Sequence, residues 1–289
     1  MNGRLHRDLA EFTTLTQPLL QADPIRHNLA LTALTLLPRM PDAAAHPPVL
    51  LSVYRAGVLA GAAVRLPPSD LIVSGLPAEC AGAAVEVLAP SHQGLPGTVG
   101  PRSEAEGFAR RWSARTGISA HERMAQRVFA LGQLTPPRGV RGAPRQADAD
   151  DLELLAQWRE EFASEATGGL RGPGTARQQA RGSLAVGTAA LLWEIAGQPV
   201  AWASATAPVA GMSRIGPVYT PPRYRGHGYG SAVTAAAAGW ARQAGAQHVV
   251  LFTDLANPVS NAIYPRIGFR PVHDAVEIAF TLPPERGSA

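Results

Sequence analysis

The segment "RYRGHGYGSAVTA", residues 223–235, constrains the fold more than any other part of the chain. Its glycines at 226, 228 and 230 follow "RIGPVYT", which is rich in β-forming residues, and precede an alanine-rich stretch that predicts a helix over 229–244. The next segment, "HVVLFT" (248–253), is continuously apolar, which is typical of a central parallel strand. The order of strand, glycine loop, helix and strand predicts a βαβ unit in a mixed α/β fold.

The glycine loop has two interpretations when its residues are considered alone. Unpaired backbone N–H groups at a helix start bind anions such as phosphate, glycine allows close approach, and Arg225 adds a charged donor. Alternatively, alternate glycines simply form a mobile turn. The even spacing does not fit the dinucleotide fingerprint G-x-G-x-x-G, and a chain without lysine cannot contain a G-K-S/T phosphate loop.

What remains is R-x-x-G-x-G, from Arg225 to Gly230, which resembles the acetyl-CoA pyrophosphate loop of the GNAT superfamily of N-acetyltransferases. Downstream, "NPVSNAIYPRIGFRPV" (257–272) is similar to the second cofactor segment of that family. Asn257 matches the asparagine that contacts the cofactor, and Tyr264 matches the tyrosine near the thioester sulfur. The resemblance covers roughly residues 148–282 and implies a GNAT-like fold for this half of the chain.

The resemblance also implies a set of cofactor contacts. Two prolines, at 221 and 222, end strand pairing because proline has no N–H donor, which leaves residues 218–220 as the segment that pairs with the pantetheine arm. The implied acetyl-CoA-binding residues are Val218, Tyr219, Thr220, Arg225, Gly226, His227, Gly228, Tyr229, Gly230, Ser231 and Asn257.

Several of these residues have simpler interpretations. Asn257 before Pro258 is what any helix start favours. Tyr264, one helical step from Ile263 and Ile267, fits a core tyrosine equally well when taken alone. Behind the Arg225 loop, the functional interpretation of Asn257 and Tyr264 is favoured.

By resemblance, the reaction is N-acetylation of a primary amine of a small molecule or peptide by direct attack, with coenzyme A as product. Tyr264, with an ordinary pKa near ~10, is the candidate catalytic acid for a thiolate whose thiol pKa is ~8.5. Deprotonating a lysine-like amine at pH 7 costs about 4.6 kcal/mol, yet the strand before the loop has no acid. Candidate bases by position alone are Glu161, Glu165, Glu194 and Asp254, and none is selected. The alternative function is a non-catalytic acyl-CoA-binding sensor or interaction protein.

The segment "LTPPRGVRGAPRQ", residues 134–146, is rich in Pro, Gly and Arg and has no periodic pattern of apolar residues, which is typical of a linker. We therefore expect domains over 1–135 and 136–289. The stretches "YRAGVLAGAAVRLPP" and "EIAGQPVAWASATAP" share one hairpin pattern, which suggests duplication of the fold, although hairpins of alanine-rich chains look alike. The first half would be a degenerate GNAT-like domain without the cofactor motif, covering the acceptor pocket or forming a homodimer contact.

Composition excludes other classes. All 26 basic residues are arginine, they are scattered, and the net charge is only +4, so we expect no nucleic-acid partner. One cysteine and widely spaced histidines indicate no metal site. The most apolar stretch, Leu184 to Trp193, is far shorter than the ~20 residues of a membrane helix, so no membrane is predicted. With no leader pattern at the start, we expect a cytoplasmic location.

Overall fold

Two compact units make up the computed structural model of the protein, which describes residues 1–39, 47–91, 94–169 and 174–281. One unit comprises Met1–Gln126 and His273–Ala289, and the other comprises Arg127–Val272. The division therefore differs from the expected boundary after residue 135, and residues 273–281 belong to the first unit. The reason is that two long strands, β6 (Ser119–Leu131) and β12 (Phe269–Thr281), each contribute residues to both units.

The N-terminal unit alternates strands and helices. It begins with an edge strand and two helices, continues through a hairpin, and closes with two helices around a short parallel strand. In chain order its elements are β1 (Asn2–His6), α1 (Leu9–Gln21), α2 (Asn28–Leu36), β2 (Val49–Arg55), β3 (Val58–Arg65), β4 (Leu71–Ile72), α3 (Ala81–Leu88), β5 (Gly97–Pro101) and α4 (Arg102–Thr116).

The C-terminal unit repeats this order of elements. Its helix α7 and strand β11 form, with β10, the βαβ unit that the glycine segment predicts, and β10 and β11 are parallel. In chain order the elements are β7 (Ala143–Gln146), α5 (Leu152–Thr167), α6 (Ala176–Ala185), β8 (Ala189–Ile195), β9 (Gln198–Ala205), β10 (Met212–Tyr219), α7 (Tyr229–Gln243), β11 (His248–Asp254) and α8 (Pro258–Arg266).

Strand order is also the same in the two units. The N-terminal unit has the order β1-β2-β3-β4-β5-β12, and the C-terminal unit has β7-β8-β9-β10-β11-β6. In each, the first four strands are antiparallel neighbours and the fifth is parallel to the fourth, which confirms the mixed α/β class. The last four residues of the expected linker form β7, because they pair with β8.

The two hairpins agree in detail. In both turns an alanine and a glycine have positive φ, which is the geometry of a two-residue hairpin turn of type I′. The angles are 49° and 82° at Ala56 and Gly57, and 48° and 79° at Ala196 and Gly197. A register shift also occurs just before each turn, between Val53 and Tyr54 in one hairpin and between Trp193 and Glu194 in the other. The shared turn geometry and register shift support duplication of the fold more strongly than the similarity of the two hairpin sequences does.

Two apolar layers cover the sheet of the C-terminal unit. On one face, α7 packs alanine and valine side chains, and α8 packs Tyr264, against β8, β9, β10 and β11, with Phe129 and Leu131 of β6 in the same cluster. On the other face, α5 and α6 pack around Trp158, Trp202 and Tyr219. The alternation of side chains along β9 and β10 therefore decides which layer each residue enters.

A fragment of residues 136–289 should not reproduce the stability of the whole chain. It lacks Phe129 and Leu131, which are buried in the α7 layer, and it removes the strand beside β11. Losing two large core side chains and a strand partner costs more than a small domain can tolerate. Urea unfolding followed by circular dichroism tests this expectation. A cooperative transition of the fragment at the midpoint of the full chain would contradict it.

Candidate functional site

The glycine segment forms a loop that leads directly into α7. Gly226 and Gly228 have φ of +82° and +81°, values that residues other than glycine rarely adopt. Gly228 is also the N-cap residue of α7. A Cβ at Gly230 would lie 3.3 Å from Oγ1 of Thr220, so this glycine lets the end of β10 lie close to the start of the helix. Positive φ therefore favours glycine at 226 and 228, whereas close packing against Thr220 favours glycine at 230.

The main chain of this loop offers a row of free donors. No atom of residues 1–39, 47–91, 94–169 or 174–281 accepts a hydrogen bond from the backbone N–H groups of Gly226 to Ser231. The first backbone bond of α7 is donated by Ala232 to the carbonyl oxygen of Gly228, at 3.0 Å. Six consecutive N–H groups at the positive end of a helix form a site suited to an anion.

The site continues as a gap between two strands. Parallel pairing of β10 with β11 ends at Ile215 and Leu251, and a bulge follows in β10. Beyond the bulge, Val218 and Tyr219 pair with β9 only, so their edge toward β11 has no strand partner. Gly216, with φ of +147°, and Pro217 occupy the bulge, and a Gly-Pro pair inside a strand pattern is the sequence signal that can indicate such a break.

Arg225 is held away from the loop N–H groups. Its Nε donates to the carbonyl oxygen of Thr220 at 2.9 Å, and its Nη2 donates to Oε2 of Glu165 at 2.5 Å. The guanidinium carbon also lies 6.0 Å from the ring centre of Tyr219. The exposed side chain of Arg225 thus fastens the loop to the end of β10 and to α5.

A polar network extends from Arg225 along α5. The hydroxyl of Tyr219 lies 3.0 Å from Oε2 of Glu161 and 3.2 Å from Oε1 of Glu165. Gln157 donates to the remaining oxygen of Glu161 at 2.7 Å. Burial, together with its bond to Glu161, raises the pKa of Tyr219, so this phenol keeps its proton. Each of the four carboxylate oxygens lies within hydrogen-bond distance of a donor group, the single phenol proton reaching one carboxylate at a time, and the network links β10 to α5.

The remaining loop side chains play smaller parts. His227 is exposed, its Nδ1 lies 2.8 Å from the carbonyl oxygen of Arg225, and its ring stacks on Tyr229 with centroids 5.4 Å apart. Tyr229 itself is buried in the α7 layer. Ser231 is half-buried in the first turn of α7.

Asn257 caps α8, as the simpler interpretation of its sequence predicts. Its Oδ1 accepts a hydrogen bond from the N–H of Ser260 at 3.1 Å. Its side chain is exposed, and its Nδ2 donates to no acceptor in the described part of the chain. Capping therefore orients Asn257 and still leaves its amide group available to a ligand.

Tyr264 lies on α8 and is buried in the core. Its ring contacts Phe129 and Phe269, with centroids 6.0 and 6.2 Å away. Burial raises the pKa of Tyr264, while a hydrogen bond with Ser260 acts in the opposite direction. The phenol is therefore protonated at neutral pH.

The other two candidate bases have structural partners. Glu194 accepts from Nε of Arg145 at 2.6 Å, and that arginine also binds Asp151. Asp254 accepts from the N–H of Ala256 at 2.8 Å and thereby closes the turn before α8. Neither carboxylate lies in the network around Tyr219.

The N-terminal unit does not contain a corresponding opening. Strand β4 stays paired with β5 through Leu71 and Ile72, and the N–H of Val73 donates to the carbonyl oxygen of Val99 at 2.9 Å. The segment after β4, "VSGLPAEC" (73–80), has a single glycine in place of the loop. The seventh residue of α4 is Phe108, whereas the seventh residue of α8 is Tyr264.

The described residues lack two other kinds of feature. They contain no group of three or more His, Cys, Asp and Glu side chains that can hold a metal ion. None of their helices combines the length and hydrophobicity needed to span a bilayer.

Comparison with known proteins identifies the C-terminal unit. Residues 155–269 match the family model described as Acetyltransferase (GNAT) family. This match includes the glycine loop and residues 257–269 of the second segment on which the resemblance rests. No curated protein matches the chain by sequence.

Solved structures show the fold of the whole chain. A Drosophila protein superposes with a TM-score of 0.70 at 14% identity, covering 96% of this chain and 98% of its own. A tandem GNAT protein from the clavulanic acid biosynthesis pathway has a TM-score of 0.58 at 14% identity, covering 97% and 98%. A GCN5-related N-acetyltransferase from Kribbella flavida has a TM-score of 0.56 at 21% identity, covering 78% and 89%. These likenesses confirm the expectation of a tandem GNAT fold.

Substitution of the loop glycines should separate backbone strain from steric contact. Gly228→Ala places a Cβ 3.2 Å from Cγ2 of Val140 at a φ of +81°, and we expect it to lower the free energy of unfolding by about 1–3 kcal/mol. Gly226→Ala, with a similar φ and open space around the new methyl group, is the matched control for strain alone. Urea denaturation measures both variants. A Gly228→Ala protein as stable as the parent would show that the loop does not hold this geometry.

Proposed function

Residues 155–269 form a GNAT acetyltransferase domain, and on this basis we propose that the protein transfers the acetyl group of acetyl-CoA to a primary amine. The observation that carries the proposal is the row of free N–H groups from Gly226 to Ser231 at the end of a gap between β10 and β11. A chain that needed only a turn here would have no reason to leave six donors and a strand edge without partners.

The residues fit acetyl-CoA in two respects. The loop N–H groups and the dipole of α7 suit the pyrophosphate, and the open edge of β10 at Val218, Tyr219 and Thr220 suits the amides of the pantetheine arm. Asn257 adds an amide donor from the start of α8. Arg225 supplies a positive charge that Glu165 partly neutralises, so we assign it chiefly to positioning the loop.

The amine nitrogen attacks the thioester carbonyl of acetyl-CoA, and the C–S bond breaks with its electron pair on sulfur. The nitrogen then loses one proton to solvent, which leaves the amide and the thiolate of coenzyme A. Tyr264 is the residue we assign to that sulfur. Because burial raises the pKa of Tyr264 above ~10, while a thiol has a pKa near ~8.5, complete proton transfer is uphill. We therefore assign to Tyr264 a hydrogen bond donated to the developing thiolate rather than full protonation.

The incoming amine must lose a proton before it attacks. Glu161 and Glu165 are engaged with Tyr219, Arg225 and Gln157, so we do not assign either as the base. The proton of the ammonium is released to solvent before binding, at the cost of about 4.6 kcal/mol for a lysine-like amine at pH 7. A less basic amine would be a better acceptor for this reason.

A non-catalytic acyl-CoA binder is the second candidate, because each of the four candidate bases already has a hydrogen-bond partner within the protein. Calorimetry with acetyl-CoA, followed by measurement of coenzyme A release across a panel of amines, separates the two functions. Acetyl-CoA binding together with amine-dependent thiol release supports the enzyme. Binding without release from any amine supports the binder, and absence of binding excludes both.

Tyr264→Phe should slow turnover roughly 10- to 100-fold, because it removes the donor to the leaving thiolate and leaves the ring in place. Acetyl-CoA affinity should change little, since the binding groups are main-chain donors. Thiol release under saturating acetyl-CoA measures the rate, and calorimetry measures the affinity. Tyr54→Phe in the N-terminal unit controls for loss of a hydroxyl. An unchanged rate in Tyr264→Phe would remove Tyr264 from the reaction.

A further inference from the structure

One arginine beside the gap has no acidic partner. Arg214 lies on β10 immediately before Ile215, the last residue that pairs with β11. No carboxylate in the described residues forms an ion pair or hydrogen bond with its side chain. Arg214 is half-buried, and this burial lowers the pKa of its guanidinium.

The side chain of Arg214 points away from the α7 layer. Ile215 enters that layer, and alternation along the strand places Arg214 on the opposite face, which Tyr219 also shares. The main chain of Arg214 is fixed by Thr206, whose Oγ1 accepts from the N–H of Arg214 at 2.9 Å. The main chain of Arg214 is therefore anchored at the start of the gap, on the sheet face that Tyr219 shares.

Three other arginines of the same unit are paired with acids. Arg145 binds Asp151, Arg177 binds Glu153, and Arg225 binds Glu165. A half-buried cation without such a partner is destabilising unless water or the anion of a ligand satisfies its donors.

Arg159 is a further half-buried arginine of this unit without an acidic partner among the described residues, and its surroundings account for it without a ligand. Nε of Arg159 is buried without a partner, as is Nε1 of Trp202, and both residues line a cavity of about 10 Å³ together with Ser204. A cavity of that size holds one water molecule, which can accept from both donors. The guanidinium also lies over the Trp202 ring, 5.4 Å from its centre. Arg159 therefore needs no ligand.

We propose that Arg214 binds a carboxylate of the acceptor, so that the acceptors are primary amines that carry a carboxylate, which is the chemistry of amino acids. This inference rests on the proposed acetyl transfer. The planar guanidinium matches a carboxylate with two parallel hydrogen bonds, and a half-buried site strengthens that pairing. Because the acceptor must reach the gap where β10 leaves β11, a carboxylate on Arg214 places the amine of the same molecule near that gap.

The test compares amino acids with their amides as acceptors for the full-length protein. Glycine, β-alanine and lysine are each paired with the corresponding amide, and coenzyme A release gives kcat/KM. We expect the acid of at least one pair to be preferred by about 100-fold, because the amide cannot neutralise a buried charge. In Arg214→Gln the preference should fall to near one. Arg214→Lys, which keeps the charge without the planar fork, should retain part of it.

Arg159→Gln is the matched control, because it removes another half-buried, unpaired arginine from the same unit and should retain the preference. Calorimetry adds a readout besides activity, since the preferred acid should bind the protein saturated with coenzyme A and should not bind Arg214→Gln. Equal rates for acids and amides, with acetyl-CoA bound, would overturn the role of Arg214 and leave the acetyltransferase intact. No acetyl-CoA binding would instead overturn the proposed function itself.

Discussion

The separation of β10 from β11 after Ile215 is the constraint on which the rest of the C-terminal unit depends. Ending a parallel ladder inside a sheet leaves backbone donors and acceptors without partners, which is costly unless water or a ligand satisfies them. The bulge at Gly216 and Pro217, the glycine loop and the N-terminus of α7 all lie at this break. Arg225 and Tyr219 connect the C-terminal end of the exposed edge to α5.

The N-terminal unit has the same architecture without this break. Both units have one order of elements, one strand order and hairpins with the same turn and bulge. In the N-terminal unit β4 remains paired with β5, and Gly75 is crowded, since a Cβ there would lie 2.9 Å from Leu20. The two units therefore share an architecture, but only the C-terminal unit has the site. The site depends on main-chain groups left unpaired after Ile215, and the corresponding groups of the N-terminal unit are paired.

Charge pairing separates residues that support the fold from the residue assigned to recognition. Arginines of the C-terminal unit that pair with acids connect neighbouring elements. Arg145 of β7, for example, binds Glu194 of β8 and Asp151 at the start of α5. Such pairs contribute through hydrogen bonds to charged groups and need nothing from outside. Arg214 differs because it is half-buried and no acid in the described residues pairs with it. Its lack of a partner depends on which side chains the tertiary structure brings near it.

The sequence by itself determined the local features: the loop, α7, β11, both hairpins, and the cap at Asn257, because these depend on glycine, proline, capping and apolar periodicity within a few residues. It did not determine that β6 and β12 contribute to both units, or that residues 143–146 form a strand, because pairing partners lie far away in the chain. The unpaired state of Arg214 and the engagement of Glu161 and Glu165 were likewise decided by tertiary structure. Whether a charge is compensated depends on which distant side chains reach it, and no local pattern encodes that.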